Sequence, residues 1–297
     1  MSRPPLPSSQ PARPEWSADR SSERVASLLV ARDKLIPLHE KTGKPKPGEW
    51  LAEHQELGQT FEEYVTGKPT LPDAARHTIA VTTLGDFDPA RGAILDEVAT
   101  YLGLYFHLPV ERAPALGLDL LPERARRVHP TWGDRQLKSS YILQQILKPR
   151  LPPNAAVLVA FTTSDLWPED GWNFVFGEAD LHTRVGVWSI YRFGDPSTGQ
   201  AARELLLRRA VGVAVHETGH MFSLEHCTKY RCVQAGMNSL DESDAAPLWA
   251  CPDCVCKIAY ATGDDLAARY ARLAAYWRER GATREVDFFE KSRAALG

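Results

Sequence analysis

Histidines and cysteines are concentrated between positions 216 and 254, and this cluster constrains the chain more than any other part of its sequence. The stretch opens with HETGHMFSLEHC, in which His216 and His220 lie four residues apart. On a helix, this spacing places both side chains on one face. His226 follows six residues later, far enough along the chain for the backbone to turn back towards the same point. The pattern therefore predicts a metal site made of three imidazoles.

The glutamate beside the first histidine indicates what such a site would do. Zinc held by three neutral imidazoles keeps most of its charge and has a position free for water. The ion lowers the pKa of that water towards about 7, so hydroxide is available at neutral pH. Glu217 is placed to take a proton from the water and to pass it to a leaving amine. The alternative, ordinary surface or core histidines on a helix, is disfavoured by the third histidine at this spacing.

The cysteines form a second pattern that begins directly after His226. A C-x4-C pair is followed by a C-x2-C pair, and these spacings suit a tetrahedral structural zinc. The four predicted ligands are Cys227, Cys232, Cys251 and Cys254. The fifth cysteine, Cys256, makes the number odd, which argues against a full set of disulfides and favours a free thiol at this position. We therefore expect two zinc ions per chain, one catalytic and one structural; buried cysteines or a redox C-x-x-C pair are the alternatives.

Composition excludes several partners. The 297 residues are 43% hydrophobic and 25% charged, as in ordinary globular proteins. A formal net charge of −3 gives no electrostatic case for binding nucleic acid or anionic membranes. No apolar run approaches the roughly 18 residues of a membrane span, and the N-terminus lacks the apolar core of a secretory signal. We expect a cytoplasmic monomer that binds neither nucleic acid nor membranes.

Patterns along the chain predict an α/β protein with a mostly parallel sheet, because strand-like runs alternate with helical ones from Thr78 onwards. Residues 133–151 and 201–222 have helical patterns, and the second of these helices carries His216 and His220. We divide the chain into a disordered proline-rich N-terminus (1–20), a helical and loop extension (21–74), a catalytic domain (75–262) and a C-terminal packing helix region (263–297).

These residues resemble the archaemetzincins, zinc metallopeptidases of the metzincin clan. The family pattern is H-E-x-x-H-x-x-G-x-x-H-C-x4-C-x-M, followed after a spacer by C-x-x-C. The chain matches it at His216, Glu217, His220, His226, Cys227, Cys232, Cys251 and Cys254. The resemblance covers roughly residues 75–257. It implies a metzincin-like mixed sheet, a long zinc-binding active-site helix, a small four-cysteine zinc subsite and peptide or protein substrates.

The resemblance also implies a cleft whose upper rim is a strand that an extended peptide joins by main-chain hydrogen bonds. The run WNFVFGE is the candidate rim. Its predicted substrate-binding residues are Trp172, Asn173, Phe174, Val175 and Phe176. The alternative is that these aromatic side chains simply belong to the core.

Two positions depart from the family pattern. Ser223 stands in place of the glycine, and a serine in the left-handed conformation costs about 1 kcal/mol more than glycine. Either the turn takes another shape or the chain tolerates that strain. Gln234 replaces the methionine that forms an apolar floor beneath the metal in metzincins, and Met237 is a candidate substitute. Both departures bear on activity more than on metal binding.

Two classes of function are consistent with this sequence. The first is a zinc metallopeptidase that uses zinc-bound water, with Glu217 as general base. The second is a catalytically weak or inactive, zinc-stabilised peptide-binding module, which the departures at Ser223 and Gln234 favour. Hydrolysis of another amide or acyl substrate is a third, weaker interpretation, since the same ligands suit several carbonyl hydrolyses.

Overall fold

A mixed five-stranded sheet forms the centre of the structure, a computed structural model that describes residues 16–180 and 182–297. Its strand order is β2-β1-β5-β8-β7, and a second, three-stranded sheet has the order β3-β4-β6. The strands are β1 (Thr78–Leu84), β2 (Val110–Arg112), β3 (Arg126–Val128), β4 (Arg135–Lys138), β5 (Ala155–Thr162), β6 (Asp165–Trp167), β7 (Gly177–Asp180) and β8 (Val185–Ser189).

Helices cover the sheet and both ends of the described chain. They are α1 (Ser22–Leu35), α2 (Trp50–Glu53), α3 (Phe61–Thr66), α4 (Pro89–Phe106), α5 (Ser139–Tyr141), α6 (Gln200–Met221), α7 (Leu240–Ala245), α8 (Pro252–Thr262), α9 (Leu266–Arg278) and α10 (Thr283–Leu296). Helix α5 continues as a π-helical segment, Ile142–Leu147. Within the described residues, no helix combines the length and the apolar character that crossing a lipid bilayer requires.

Strand β5 explains why the sheet is mainly parallel. All eight of its residues, AAVLVAFT, are buried, as expected for a strand covered on both faces. It pairs in parallel with β1 on one side and β8 on the other. Strand β7 is antiparallel to β8 and lies at the edge of the sheet. The predicted α/β class with a mixed sheet is confirmed.

The prediction of one helix over residues 133–151 is wrong at its beginning. Residues Arg135–Lys138 form strand β4, which pairs in parallel with β6 and antiparallel with β3. Gln136 is fully buried there and donates a hydrogen bond to Asp165 at 2.7 Å. Pairing with neighbours distant in sequence and this buried polar contact override the local helical pattern. The helix starts only at Ser139.

The terminal helices pack against other helices of the fold. The predicted apolar face of α9 is buried at Leu266, Tyr270, Leu273 and Trp277. Trp277 donates its indole N–H to the hydroxyl of Tyr101 in α4 at 3.1 Å. Helix α1 packs against α8 and α10. Residues 1–15 of the predicted disordered segment lie outside the described residues, whereas Trp16 stacks on His77. The four-part division stays a prediction.

Candidate active site

The three predicted histidine ligands converge at the end of α6. His216 and His220 lie one helical turn apart, and their Nε2 atoms are 3.0 Å from each other. His226 comes back to them after the helix has ended, with its ring centroid 5.2 Å from that of His216 and 4.8 Å from that of His220. One nitrogen from each ring lies within 4.8 Å of the others. The structure therefore brings together one potential ligand atom from each ring.

The outer nitrogen of each ring has an acceptor that fixes which nitrogen carries the proton. Nδ1 of His216 donates to the carbonyl of Val233 at 2.9 Å, and Nδ1 of His220 donates to that of Leu224 at 2.6 Å. Nδ1 of His226 donates to the carboxylate of Glu56 at 2.9 Å. In a neutral ring Nε2 is then unprotonated, and the lone pairs of His216 and His220, 3.0 Å apart, repel unless a cation lies between them. The donor set thus fits zinc.

Burial keeps His216 and His220 in the neutral form that binds metal. It lowers the pKa of His216 well below its ordinary value and that of His220 to about 4, and the neighbouring histidines add to both shifts. Glu217 lies half-buried beside them. Desolvation and the nearby charge of Glu178 raise the pKa of the Glu217 carboxyl to about 8. The site therefore pairs two neutral ligand candidates with a carboxyl whose pKa is shifted towards neutral pH.

Strand β7 lies directly against this glutamate because it begins with a glycine. A Cβ atom at Gly177 would be 3.3 Å from Cγ of Glu217 and 3.3 Å from the carbonyl oxygen of Val187. Any larger residue would press on the carboxylate or on the neighbouring strand. The edge of the sheet and the histidine helix therefore meet at Glu217.

Ser223 ends helix α6 in the left-handed conformation. Its φ is 65°. The alternative that the turn takes another shape is therefore wrong, and the chain tolerates the strain at this serine. The amide of Leu224 donates to the carbonyl of Gly219 at 3.1 Å, and that of Ser223 to the carbonyl of His220 at 2.7 Å. These two bonds define a Schellman motif. The serine hydroxyl also accepts a hydrogen bond from the amide of Thr70 at 2.9 Å, which offsets part of the strain.

Gln234 packs beneath the helix, at the place where the family pattern has methionine. It is buried, and its amide nitrogen donates to the carbonyl of His216 at 3.1 Å. Its amide oxygen lies against Gly219, where a Cβ atom would clash with it. Met237 lines the neighbouring cavity. Gln234 is therefore a hydrogen-bonded substitute for the methionine, and Met237 does not take its place.

The four predicted cysteine ligands form a second, fully buried cluster. The Sγ atoms of Cys227 and Cys251 are 3.5 Å apart, and all four sulfur atoms lie within 4.8 Å of one another. Backbone amides donate to two of them: those of Cys251 and Gln234 to Sγ of Cys232, at 3.1 and 3.4 Å, and that of Cys254 to Sγ of Cys251 at 3.5 Å. Amide donors stabilise thiolates, so this cluster also fits a zinc ion.

Contacts separate Cys256 from this cluster. Its thiol donates to the carbonyl of Leu28 in α1 at 3.3 Å. Burial raises the pKa of the Cys256 thiol. Cys256 is therefore a neutral thiol that packs against α1.

A cavity of about 560 Å³ opens beside the histidines. His216 and Glu217 line it, as do residues 171–177. Apolar side chains in its lining include Leu205, Val213 and Leu248. An extended peptide therefore has a bounded space next to the candidate metal site.

The predicted rim, residues 172–176, faces this cavity, but it is not a regular strand. Strand β7 begins only at Gly177, and the rim touches the sheets through Val175, whose amide donates to the carbonyl of Leu166 at 3.0 Å. The backbone of the run is joined to the sheets by this isolated bridge and by a bond from the amide of Ser189 to the carbonyl of Phe176 at 2.8 Å, so it stays outside the regular ladder. The expectation of a rim strand over WNFVFGE is therefore wrong for its first five residues, although their position on the cavity agrees with the prediction.

Polar residues that the sequence analysis did not identify bind the backbone carbonyls of the rim. Arg127 donates to the carbonyl of Trp172 at 2.7 Å, and Gln136 donates to that of Asn173 at 2.8 Å. Behind them the buried Asp165 accepts two hydrogen bonds from Arg192, whose guanidinium lies 4.1 Å above the ring of Phe174. These residues come from β3, β4, β6 and the turn after β8, so no local pattern connects them.

Comparisons with known proteins agree with this geometry. The profile of Peptidase family M54 matches residues 155–260. The chain is 30% identical to Archaemetzincin-2 of Macaca fascicularis over 260 residues, which are 76% of this chain and 71% of that protein. It is 41% identical to Archaemetzincin of Thermococcus kodakarensis over 105 residues, 35% of this chain and 56% of that protein. The crystal structure of Archaemetzincin from Methanopyrus kandleri superposes with a TM-score of 0.51 at 27% identity, covering 63% of this chain and 96% of that one.

The turn at Ser223 predicts a specific order of stabilities. Ser223→Ala keeps the left-handed strain and loses the bond from Thr70, whereas Ser223→Gly loses the bond but also removes the strain. We expect the free energy of unfolding of the alanine variant to be about 1–2 kcal/mol lower than that of the glycine variant. Urea unfolding of zinc-saturated protein measures this difference. An alanine variant as stable as the glycine variant would show that the turn is not strained.

Proposed function

Because the chain belongs to the archaemetzincin family of zinc metallopeptidases, we propose that it hydrolyses peptide bonds with Glu217 as general base and His216, His220 and His226 as ligands of a catalytic zinc. One observation carries this proposal. Three imidazole rings bring one nitrogen each to within 4.8 Å of the others, beside the half-buried carboxyl of Glu217, on the wall of a cavity of about 560 Å³. Both departures from the family pattern are accommodated by hydrogen bonds, which supports an enzyme over an inactive binding module.

Glu217 is suited to moving a proton between water and a leaving amine. A zinc ion bound here supplies Lewis acidity and makes water a stronger acid. The carboxyl of Glu217 is half-buried on the cavity wall, and its raised pKa of about 8 lets it accept a proton and release it again near neutral pH. Gly177 brings the edge strand alongside, so a peptide that follows the strand passes the carboxylate.

The four cysteines, in this proposal, hold a second, structural zinc. Cys227 follows His226 directly, and its amide donates to the carbonyl of Gln234 at 2.8 Å. A metal bound to the cysteines therefore fixes the chain directly after the last histidine. Cysteines that are grouped for a metal and not paired in disulfides are typical of a reducing compartment, so we propose the cytoplasm. Monomeric state stays a prediction from the sequence.

For the substrate, we propose an extended peptide that lies along residues 172–176 and the edge strand β7. Edge strands offer unpaired backbone groups to an added strand. Trp172 is 45% exposed at the mouth of the cavity, while Phe174 and Phe176 pack against each other with ring centroids 5.1 Å apart. Trp172 would therefore contact the peptide directly, and the two phenylalanines would form the surface beneath it.

Glu217→Ala tests the mechanism. Removing the base should lower kcat by about 10²–10⁴-fold or more, because no other group is placed to take the proton, while both zinc ions stay bound. Peptide-library cleavage and zinc analysis of the same preparations measure the two effects. A variant with wild-type turnover would refute the assignment of the base. Wild-type protein that holds two zinc ions but cleaves no peptide would point to the binding module instead.

Cys254→Ser and Cys256→Ser form a matched pair, since the same change is made two residues apart on α8. We expect Cys254→Ser to lose one zinc ion per chain and to unfold at lower temperature, because a serine hydroxyl is a poor ligand in a sulfur site. Cys256→Ser should keep both ions. Metal analysis and calorimetry measure these effects. Equal zinc content in both variants would contradict the structural site.

Trp172→Ala tests the rim. If the indole contacts peptide equally in the ground and transition states, its loss should raise KM several-fold with little change in kcat. Trp16→Ala is the control, because Trp16 stacks on His77 and is not among the residues that line the cavity. Steady-state kinetics on one peptide substrate distinguish the two variants. Unchanged KM for Trp172→Ala would remove this residue from the substrate-binding surface.

A further inference from the structure

The last histidine of the site is held by a part of the chain 170 residues earlier. Nδ1 of His226 donates to both carboxylate oxygens of Glu56, at 2.9 and 3.1 Å. His216 and His220 instead donate to backbone carbonyls close to them in the fold. Glu56 lies outside residues 155–260, where the family profile matches, and no motif marks it in the sequence. His226 is thus the one ligand candidate among the three whose orientation depends on a side chain.

A carboxylate is well suited to orient an imidazole and to fix its tautomer. It can only accept when ionised, so it holds the proton on Nδ1 and leaves the lone pair on Nε2, which faces the other two histidines. A backbone carbonyl does the same with less charge. The carboxylate also increases the basicity of the ring, which strengthens a bond from Nε2 to a cation. An exposed ion pair would contribute little, but the side chains of His226 and Glu56 are only 18% and 28% exposed.

Glu56 is itself held in place by the segment in which it lies. We call residues 50–70 the strap, because this segment wraps the turn that carries His226. Trp50 packs edge-on against the His226 ring, with centroids 5.0 Å apart, and its amide donates to Glu242 at 3.1 Å. On the other side of Glu56, the strap is bonded to the turn and to α8 through Leu57, Gln59, Tyr64 and Thr70.

Two of these contacts reach the ends of the turn. The hydroxyl of Tyr64 donates to the carbonyl of Phe222 at 2.8 Å, and the amide of Glu225 donates to the side chain of Gln59 at 3.4 Å. The strap therefore fixes the backbone on both sides of the left-handed residue and then orients the imidazole that follows.

We propose that Glu56 is a positioning residue for the catalytic metal: it sets the tautomer and orientation of His226, and the strap belongs to the active centre. This proposal rests on the proposed function, because it assumes a metal at the three histidines. Residues 50–70 lie in the predicted N-terminal extension, and the proposal gives them the function of positioning a metal ligand. Glu56 itself does not need to touch the substrate.

The test compares Glu56→Ala and Glu56→Gln with Glu225→Gln in the full-length protein. Glu225 is the exposed neighbour of His226, so its substitution removes the same charge without removing the contact to Nδ1. Zinc affinity is measured by competition with a chelator. Cobalt substitution then separates the two centres, since thiolate-to-cobalt charge transfer reports the cysteines and the visible ligand-field bands report the histidines.

We expect Glu56→Ala to weaken metal binding at the histidines by about 10–100-fold and to leave the cysteine centre unchanged. Glu56→Gln should lie between alanine and wild type, because its amide oxygen still accepts from Nδ1, and Glu225→Gln should match wild type. Calorimetry of the metal-saturated variants should show the same folded protein in each case. A carboxylate with only a general structural role would instead weaken metal binding at both centres.

Two other results are decisive in different ways. Wild-type affinity at the histidines in both Glu56 variants, or an equal loss in Glu225→Gln, would overturn the role of Glu56 and leave the peptidase proposal intact. Wild-type protein that binds cobalt only at the cysteines would overturn both, because the histidines would then hold no metal.

Discussion

The reversal of the chain at Ser223 is the constraint on which the rest of the site depends. Helix α6 supplies His216 and His220, but a third ligand must come from the chain after the helix has ended. The Schellman bonds at Leu224 and Ser223 turn the backbone within one residue. The left-handed conformation this requires is unfavourable for serine, and the bond from Thr70 to its hydroxyl offsets part of that cost. Without this turn, His226 would not return to the other two histidines.

The two candidate metal centres share one short piece of backbone. The carbonyl of Val233 accepts from Nδ1 of His216, and the side chain of Gln234 donates to the carbonyl of the same histidine. The amide of Gln234 in turn donates to Sγ of Cys232, and its carbonyl accepts from the amide of Cys227. An amide side chain can make these contacts beneath the helix because Gly219 presents no Cβ atom there. The cysteine cluster thus acts on the histidine site through hydrogen bonds as well as through the sequence neighbours His226 and Cys227.

Periodicity and spacing predicted the elements whose signals are local. The long helix of residues 201–222 is observed as α6, Gln200–Met221, and the run AAVLVAFT forms the buried central strand β5. Local patterns were wrong where pairing with distant chain decides the conformation. Strand β4 has a helical pattern, yet it pairs with β3 and β6 because Gln136 reaches Asp165. Residues 172–176 have a strand pattern, yet they stay outside the ladder because Arg127 and Gln136 bind the carbonyls of Trp172 and Asn173.

The sequence by itself determined which side chains are available as metal ligands, because their spacing is a local property. A helix and the short turn after it are enough to bring histidines with this spacing together. It also identified Glu217, which adjoins His216, and the two positions at which the family pattern is broken. Only the tertiary structure decided how those breaks are accommodated and which residues orient the ligands. Glu56 reaches His226 across 170 residues, and Gln234 reaches His216 beneath the helix. Hydrogen bonds between parts of the chain so far apart leave no periodic trace in the sequence, because they depend on how the elements pack rather than on how the residues are spaced.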